Sequence, residues 1–254
     1  GDLKLMRALL LRQRQPGSEH LIVVARNVDD LGPALGVAQD GANHAIVVLV
    51  PIPALAQAPA VDDVANQKKP LATDVLEEIG EERAAGLAGE LKEELGITIA
   101  TPRPLMRVQH AYPSRDVLLD MWVVKRYVGE PQGLDGQALR WCAQEDLPNA
   151  DLLPADKPIV RALRLPERLM QMSSPDYAVG PAHEGQMKGV ICANAAEAVA
   201  AVGAGADFLA MRAEMPERQL AALCLSVPVP VFARGLPLED AWVLGASGVN
   251  EIAL

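Results

Sequence analysis

The sequence predicts an α/β protein in two parts, and three observations carry that prediction. Leu87, Leu91 and Leu95 recur at steps of four, which marks an amphipathic helix among apolar strand-like runs. Beyond about residue 172, short β-branched runs alternate with Ala-rich stretches, the pattern of parallel β/α units. Half of the 254 residues are hydrophobic and only 3% are aromatic, so the core is built mostly from Leu, Val, Ile and Ala. That length suits one large domain or two small ones.

The first elements are two strands, LMRALLLR and HLIVVAR, joined by the polar turn RQPGSE. Residues 28–73 hold another apolar run, AIVVLVPI, and then an Ala- and Pro-rich connection, which predicts a strand followed by a loose loop. The stretch EERAAGLAGELKEEL, residues 81–95, is the clearest helix, and Gly96 supplies its C-terminal stop. ITIATP, LMRVQHAY and VLLDMWVVKRY read as strands. The Gly-rich turn GEPQGLDGQ then leads to ALRWCA, and a second helix is expected from Lys157 to Arg164, ending at Pro166. SSPDYAVGPAHEGQ reads as a linker. After it come KGVICA, NAAEAVAAVGAG, DFLAMRA, PERQLAALCLS, VPVFARG, LEDAWVLGAS and VNEIAL, strand and helix in turn.

Charge narrows the function classes. The 33 acids outnumber the 23 Lys and Arg, for a formal charge of −10. A net acidic chain has no general pull on nucleic acid polymers or anionic membranes. It also repels free nucleotides unless a metal ion or a local basic patch bridges the charges. Cys142, Cys192 and Cys224 lie far apart, out of metal-ligand spacing, and read as buried thiols in a reducing compartment. Charges break the apolar run near residue 1, and prolines interrupt Ala45 to Val61, so a soluble cytoplasmic protein is the expectation. The four histidines show no zinc-ligand spacing.

The chemically informative set is Glu90, Glu93 and Glu94. Positions i, i+3 and i+4 share a helix face, and three carboxylates there repel one another unless a cation sits among them. Hard oxygen donors at that density suit Mg²⁺ or Mn²⁺. A diphosphate completes such a metal shell, and a nearby carboxylate takes a proton from water as general base. The competing reading is a solvated helix face, since ELKEEL is common on such faces.

From Gly80 to Ile97, GEERAAGLAGELKEELGI resembles the Nudix box. Glu81 falls on the first Glu of that box, and Glu90, Leu91, Glu93, Glu94, Gly96 and Ile97 fall on the rest in register. Val75 stands where the box opens with Gly, and Gly89 where it has an Arg that orients a glutamate by ion pairing. PLMRVQHAYPSRDVLLDMWVV, GEPQGLDGQALRW and LLPADKPIVRALRLPERL follow in order and look like the segments after the box in MutT-type 8-oxo-dGTP diphosphatases. Nothing in residues 60–79 resembles the Gly-Leu-Trp-Glu-Phe-Pro-Gly-Gly-like stretch that precedes the box in that family. The resemblance implies an α+β Nudix fold, a mixed sheet between helices, over residues 1–171. It implies a Mg²⁺-dependent (or Mn²⁺-dependent) pyrophosphohydrolase acting on a nucleoside triphosphate, with oxidised purine nucleotides as the family's typical substrates. Glu90, Glu93 and Glu94 would be catalytic and metal-holding, Asp135 a further metal ligand, and Asp156 the residue facing the base.

Residues 187–254 resemble the last part of a thiamine-phosphate synthase barrel, through KGVICANAAEAVAAVGAGADFLAM and PVPVFARGLPLEDAWVLGASGVNEIAL. A full (β/α)₈ barrel needs about 200 residues or more, so a partial parallel β/α barrel-like unit of three or four strands is expected. Such an open sheet packs on the Nudix part or on a second copy of the chain, which makes a homodimer a candidate assembly. Three readings thus compete: a pyrophosphohydrolase, a catalytically impaired Nudix-like binding scaffold, and a protein related to thiamine-phosphate synthesis.

Overall fold

The structure is a computed structural model that describes residues 8–15, 18–25, 45–51, 73–112, 115–134, 138–150, 152 and 154–253. Side chains are described from residue 80 onward, apart from 111–118, 135–138, 140–145, 151, 153, 154 and 254.

The N-terminal part is a six-stranded sheet between two helices. Its strands are β1 (Ala8–Gln15), β2 (Ser18–Ala25), β3 (Ala45–Pro51), β5 (Arg103–Tyr112), β6 (Arg115–Val124) and β8 (Ala138–Ala143), ordered β5-β6-β3-β1-β2-β8. The ladders are antiparallel except for one parallel contact, Leu21 with Ala45. A separate two-stranded antiparallel sheet pairs β4 (Thr98–Ala100) with β7 (Arg126–Val128).

The two-residue period of β6 sorts its side chains between the faces. Asp120, Trp122 and Val124 share one face, where Trp122 and Val124 pack with Leu87, Leu91 and Leu95 of α1 (Thr73–Leu95). Leu119, Met121 and Val123 share the other, where they pack with Ile159, Ala162 and Leu163 of α2 (Lys157–Arg164). Each such fully buried Leu or Ile contributes about 1.5–3 kcal/mol. Gly96 ends α1 with φ +70°, and its N–H donates to the Lys92 carbonyl at 3.1 Å.

The C-terminal part is a parallel sheet of six strands, not three or four. Its strands are β9 (Arg168–Leu169), β10 (Tyr177–Val179), β11 (Met187–Cys192), β12 (Phe208–Met211), β13 (Val231–Ala233) and β14 (Gly248–Asn250), ordered β10-β11-β12-β13-β14-β9. The segment read as a linker therefore contains a strand, with Tyr177, Ala178 and Val179 all buried. The first strand, β9, lies parallel to the last, β14, as in the closing seam of a barrel. The helices α3 (Ala195–Gly203), α4 (Glu217–Ser226) and α5 (Leu238–Val243) connect successive strands.

Alternation again divides this sheet. Leu209, Met211, Val231 and Ala233 join the cluster that includes Leu220, Leu223 and Ala241 of the helices. Phe208, Ala210 and Phe232 face the other way, with Tyr177, Val179 and Leu169. The Phe208 ring meets Tyr177 edge-on at 5.7 Å and Phe232 at 5.9 Å. Gly189 makes room for this stack, since a Cβ there would collide with the Phe208 ring.

Of the two docking surfaces expected for this unit, the structure shows the one on the Nudix part. Helix α5 packs against α1 and β5, and α4 packs against β5.

Candidate active site

Helix α1 carries the acidic set, and its burial pattern fixes how each glutamate is presented. Arg83, Leu87, Glu90, Leu91 and Glu94 lie on one stripe of the helix. Leu87 and Leu91 are fully buried against the sheet, while Arg83, Glu90 and Glu94 are half-buried along that seam. Glu93 is exposed, as is Glu81. Gly89 is exposed too, and a Cβ there would meet nothing within 4 Å.

The last turn of α1 is tied to the Gly-rich turn that follows β7. Leu134 N–H donates to the Glu94 carbonyl at 2.9 Å, and Gln132 N–H to the Leu95 carbonyl at 3.1 Å. These bonds satisfy carbonyls that every helix end leaves without an internal partner. Asp135, next in the chain, lies outside the described residues, as do the strand-and-loop residues 52–72. Asp156 is buried, 3% exposed, where the 3₁₀ turn Pro154–Asp156 runs into α2. Its side chain makes no capping hydrogen bond to that helix.

The donor chemistry of α1 fits a hard divalent cation. Three carboxylates at i, i+3 and i+4 offer oxygen ligands only, and Mg²⁺ takes few protein ligands beside water and phosphate oxygens. Among the described residues, no three His, Cys, Asp or Glu side chains already converge to hold a metal ion. Such a set closes by side-chain rotation on a fixed helix, because Cβ atoms so spaced lie about 5–6 Å apart.

One polar cluster beside α1 escaped the sequence reading. Asp120 of β6, 2% exposed, receives two hydrogen bonds from Arg83: Nε to Oδ2 at 2.8 Å, and Nη2 to Oδ1. Arg107 Nε stands 3.5 Å from the same carboxylate, an ion pair rather than a hydrogen bond. Burial, and then the charge of Arg83, hold the Arg107 guanidinium below its ordinary pKa, against the pull of Asp120. Arg83 also lies over the Trp122 ring at 5.1 Å and donates from Nη1 to the Val243 carbonyl of α5 at 2.9 Å. A buried Asp inside an apolar strand was the available sequence signal, since such a group needs a cationic partner.

Two curated relatives decide the family. The 8-oxo-dGTP diphosphatase of Escherichia coli (strain K12) is 33% identical over 87 residues, which cover 34% of this chain and 67% of that protein. The CTP pyrophosphohydrolase of the same organism is 34% identical over 108 residues, which cover 42% of this chain and 78% of that protein. The chain belongs to the MutT-type Nudix family.

No protein-family model matches this Nudix chain. A solved MutT structure, described with the Aliivibrio salmonicida and Vibrio cholerae proteins, is 29% identical, with a TM-score of 0.28. It matches 31% of this chain, which spans less than two thirds, 64%, of that structure's length. The solution structure of the E. coli ORF135 protein is 26% identical over 47% of this chain and 79% of its own, with a TM-score of 0.30. Those scores are too low to carry topology, so the Nudix assignment rests on sequence identity. Among the described residues of the Nudix chain, no helix is long and apolar enough to cross a membrane.

Proposed function

We propose that this Nudix chain is a divalent-metal-dependent pyrophosphohydrolase of nucleoside triphosphates. The carrying observation is the acidic set on α1, with its last turn bonded to the chain segment that leads into Asp135. Glu90, Glu93 and Glu94, with Asp135, would hold Mg²⁺ or Mn²⁺. Such an ion neutralises phosphate charge and lowers the pKa of a bound water. One glutamate of the set takes a proton from the attacking water as general base. The water oxygen bonds to phosphorus, the bond to the pyrophosphate leaving group breaks, and a nucleoside monophosphate remains.

Asp156 is the residue proposed to face the base. An ionised Asp only accepts hydrogen bonds, so it reads donor groups on a base edge. The relatives named for 8-oxo-dGTP and for CTP define the substrate panel, with oxidised purine nucleotides among it. The experiment is pyrophosphate release from that panel with Mg²⁺, comparing the wild type with Glu93→Gln. Release that vanishes in the variant supports the reading. Absence of release from every nucleotide, with no Mn²⁺ binding, overturns it in favour of a binding scaffold. The observation favouring a scaffold is Gly89, which leaves the family's glutamate-orienting position without a side chain.

The C-terminal unit we read as a shortened relative of the thiamine-phosphate synthase barrel that serves a structural role. The β9–β14 seam supports the barrel likeness. Where that family's phosphate loop has adjacent glycines, Arg234 is turned inward and donates to the carbonyls of Asn250 at 2.9 Å and Ile252 at 2.8 Å. The Glu214 carboxylate crowds Gly235, with Oε2 only 3.2 Å from where a Cβ would stand. A carboxylate there opposes a phosphate group.

A further inference from the structure

We propose that the C-terminal β/α unit positions the metal-binding helix, and that Arg83 is the positioning residue through which it acts. The inference rests on the pyrophosphohydrolase reading for its functional consequence and on separate geometry for the clamp itself.

Arg83 and Glu90 are seven residues apart, so they differ by only about 20° around the helix axis. Rotation or sliding of α1 at Arg83 is therefore transmitted directly to the stripe that bears Glu90 and Glu94. Three groups fix Arg83. Asp120 of β6 takes two of its donors, the Trp122 ring lies under its guanidinium, and the Val243 carbonyl of α5 takes a further donor. The first two belong to the Nudix sheet and the third to the C-terminal unit. A planar guanidinium satisfied on two sides has one orientation available, which a Lys ammonium lacks.

The C-terminal side of the clamp is itself held. Arg107 N–H donates to the Gly245 carbonyl at 3.3 Å, fixing the segment just after α5 to β5. Gly245 has φ +95°, and a Cβ there would stand 3.2 Å from Arg107 Cδ. A Cβ at Gly80, on α1, would stand 3.2 Å from Val243 Cγ2, so the Val243 side chain of α5 packs directly on the α1 backbone at that glycine. The carbonyl that Arg83 needs is thus presented at a defined height along α1. In this chain, whose Nudix box has Gly89 in place of an orienting Arg, helix placement helps to aim the glutamates.

The test uses the full chain and two readouts: Mn²⁺ affinity, and hydrogen exchange of the α1 backbone amides. Arg83→Gln is expected to weaken Mn²⁺ binding by about 10–100-fold, the range found when groups that orient metal ligands are lost. Arg83→Lys should recover only part of that loss. Gly245→Ala, which leaves every charge of the cluster in place, should speed exchange in α1 while β11 and β12 keep their protection. The proposal is overturned if a folded Arg83→Gln binds Mn²⁺ as the wild type does, or if Gly245→Ala leaves α1 exchange unchanged. If Arg83→Gln does not fold, Gly245→Ala decides alone. A wild type that binds no Mn²⁺ sinks the pyrophosphohydrolase reading, and α1 exchange in Gly245→Ala still decides the clamp.

Discussion

Arg83 holds Asp120 with two parallel hydrogen bonds, and the pair stands where the sheet, α1 and the C-terminal unit meet. The Arg83 side chain is 11% exposed and that of Asp120 only 3%. Water therefore screens this pair far less than it screens a surface ion pair. Removing Asp120 alone leaves Arg83 and Arg107 facing each other in a desolvated site. Asp120→Ala should cost about 3–5 kcal/mol of stability, measured by urea unfolding. Replacing Arg83 and Asp120 together by apolar residues should cost clearly less than the sum of the single changes. Equal, additive losses would show that the pair contributes no coupling.

Gly89 offers a gain-of-function counterpart. It lies in the interior of α1, is exposed, and has open space where a Cβ would be. Gly89→Arg restores the residue type that the Nudix box carries. The helix should gain about 1 kcal/mol, since Gly is the weakest ordinary helix former and Arg ranks close to Ala. If the new guanidinium orients a glutamate of the set, Mn²⁺ affinity should rise by about tenfold or more. A more stable variant with unchanged Mn²⁺ affinity would mean that the arginine is not what the site lacks.

Much of this architecture was legible in the chain, and the exceptions have physical causes. Leu87, Leu91 and Leu95 announced α1 because a long helix repeats its period several times. A helix from Lys157 to Arg164, stopped at Pro166, was legible, and the structure has the helix at those residues. The strands β9 and β10 were not legible, because they are two and three residues long and lie outside the strand–helix alternation that marks β13 and β14. Ser, Pro and Gly around Tyr177 read as a linker, yet Tyr177–Val179 pairs with β11, and Tyr177 and Val179 are buried in the cluster with Phe208 and Phe232. α1 also begins earlier than expected, at Thr73 rather than near residue 81. In the candidate site, the glutamates were legible as a motif. The Arg83–Asp120 pair was not, because its members are 37 positions apart and an Asp in an apolar strand does not reveal which cation it takes.

Gly189 tests whether the aromatic stack defines the C-terminal unit. A methyl group at Gly189 would occupy the space of the Phe208 ring, which itself contacts Tyr177 and Phe232. The ring cannot move without disturbing both neighbours. Gly189→Ala should therefore destabilise the unit by about 1–3 kcal/mol, the usual cost of overpacking a filled core. Gly189→Ala combined with Phe208→Leu should recover part of that loss. Thermal unfolding of the single and double variants reads this directly, and an unchanged midpoint in Gly189→Ala would show that the stack is loosely packed.

The buried thiols make a pH-dependent prediction whose sign follows from desolvation. Burial pushes the Cys192 thiol up to about 11, with Glu197 adding to the shift. Burial pushes Cys224 up to about 12, against a partial pull downward from Arg107. The thiolate is the reactive form, so at pH 8 both should resist iodoacetamide in the folded protein and react quickly once urea exposes them. Both folded values lie above the ordinary thiol value of 9.0, so the folded state keeps its protons when the unfolded chain begins to lose them. The stabilising contribution is full below pH 9 and declines as the pH rises through 9 toward about 11–12. Peptide mapping after alkylation at pH 8 checks the assignment residue by residue. Rapid labelling of Cys224 under native conditions would mean that the α4–β5 contact opens readily, because Cys224 lies at that contact, with Arg107 of β5 beside it.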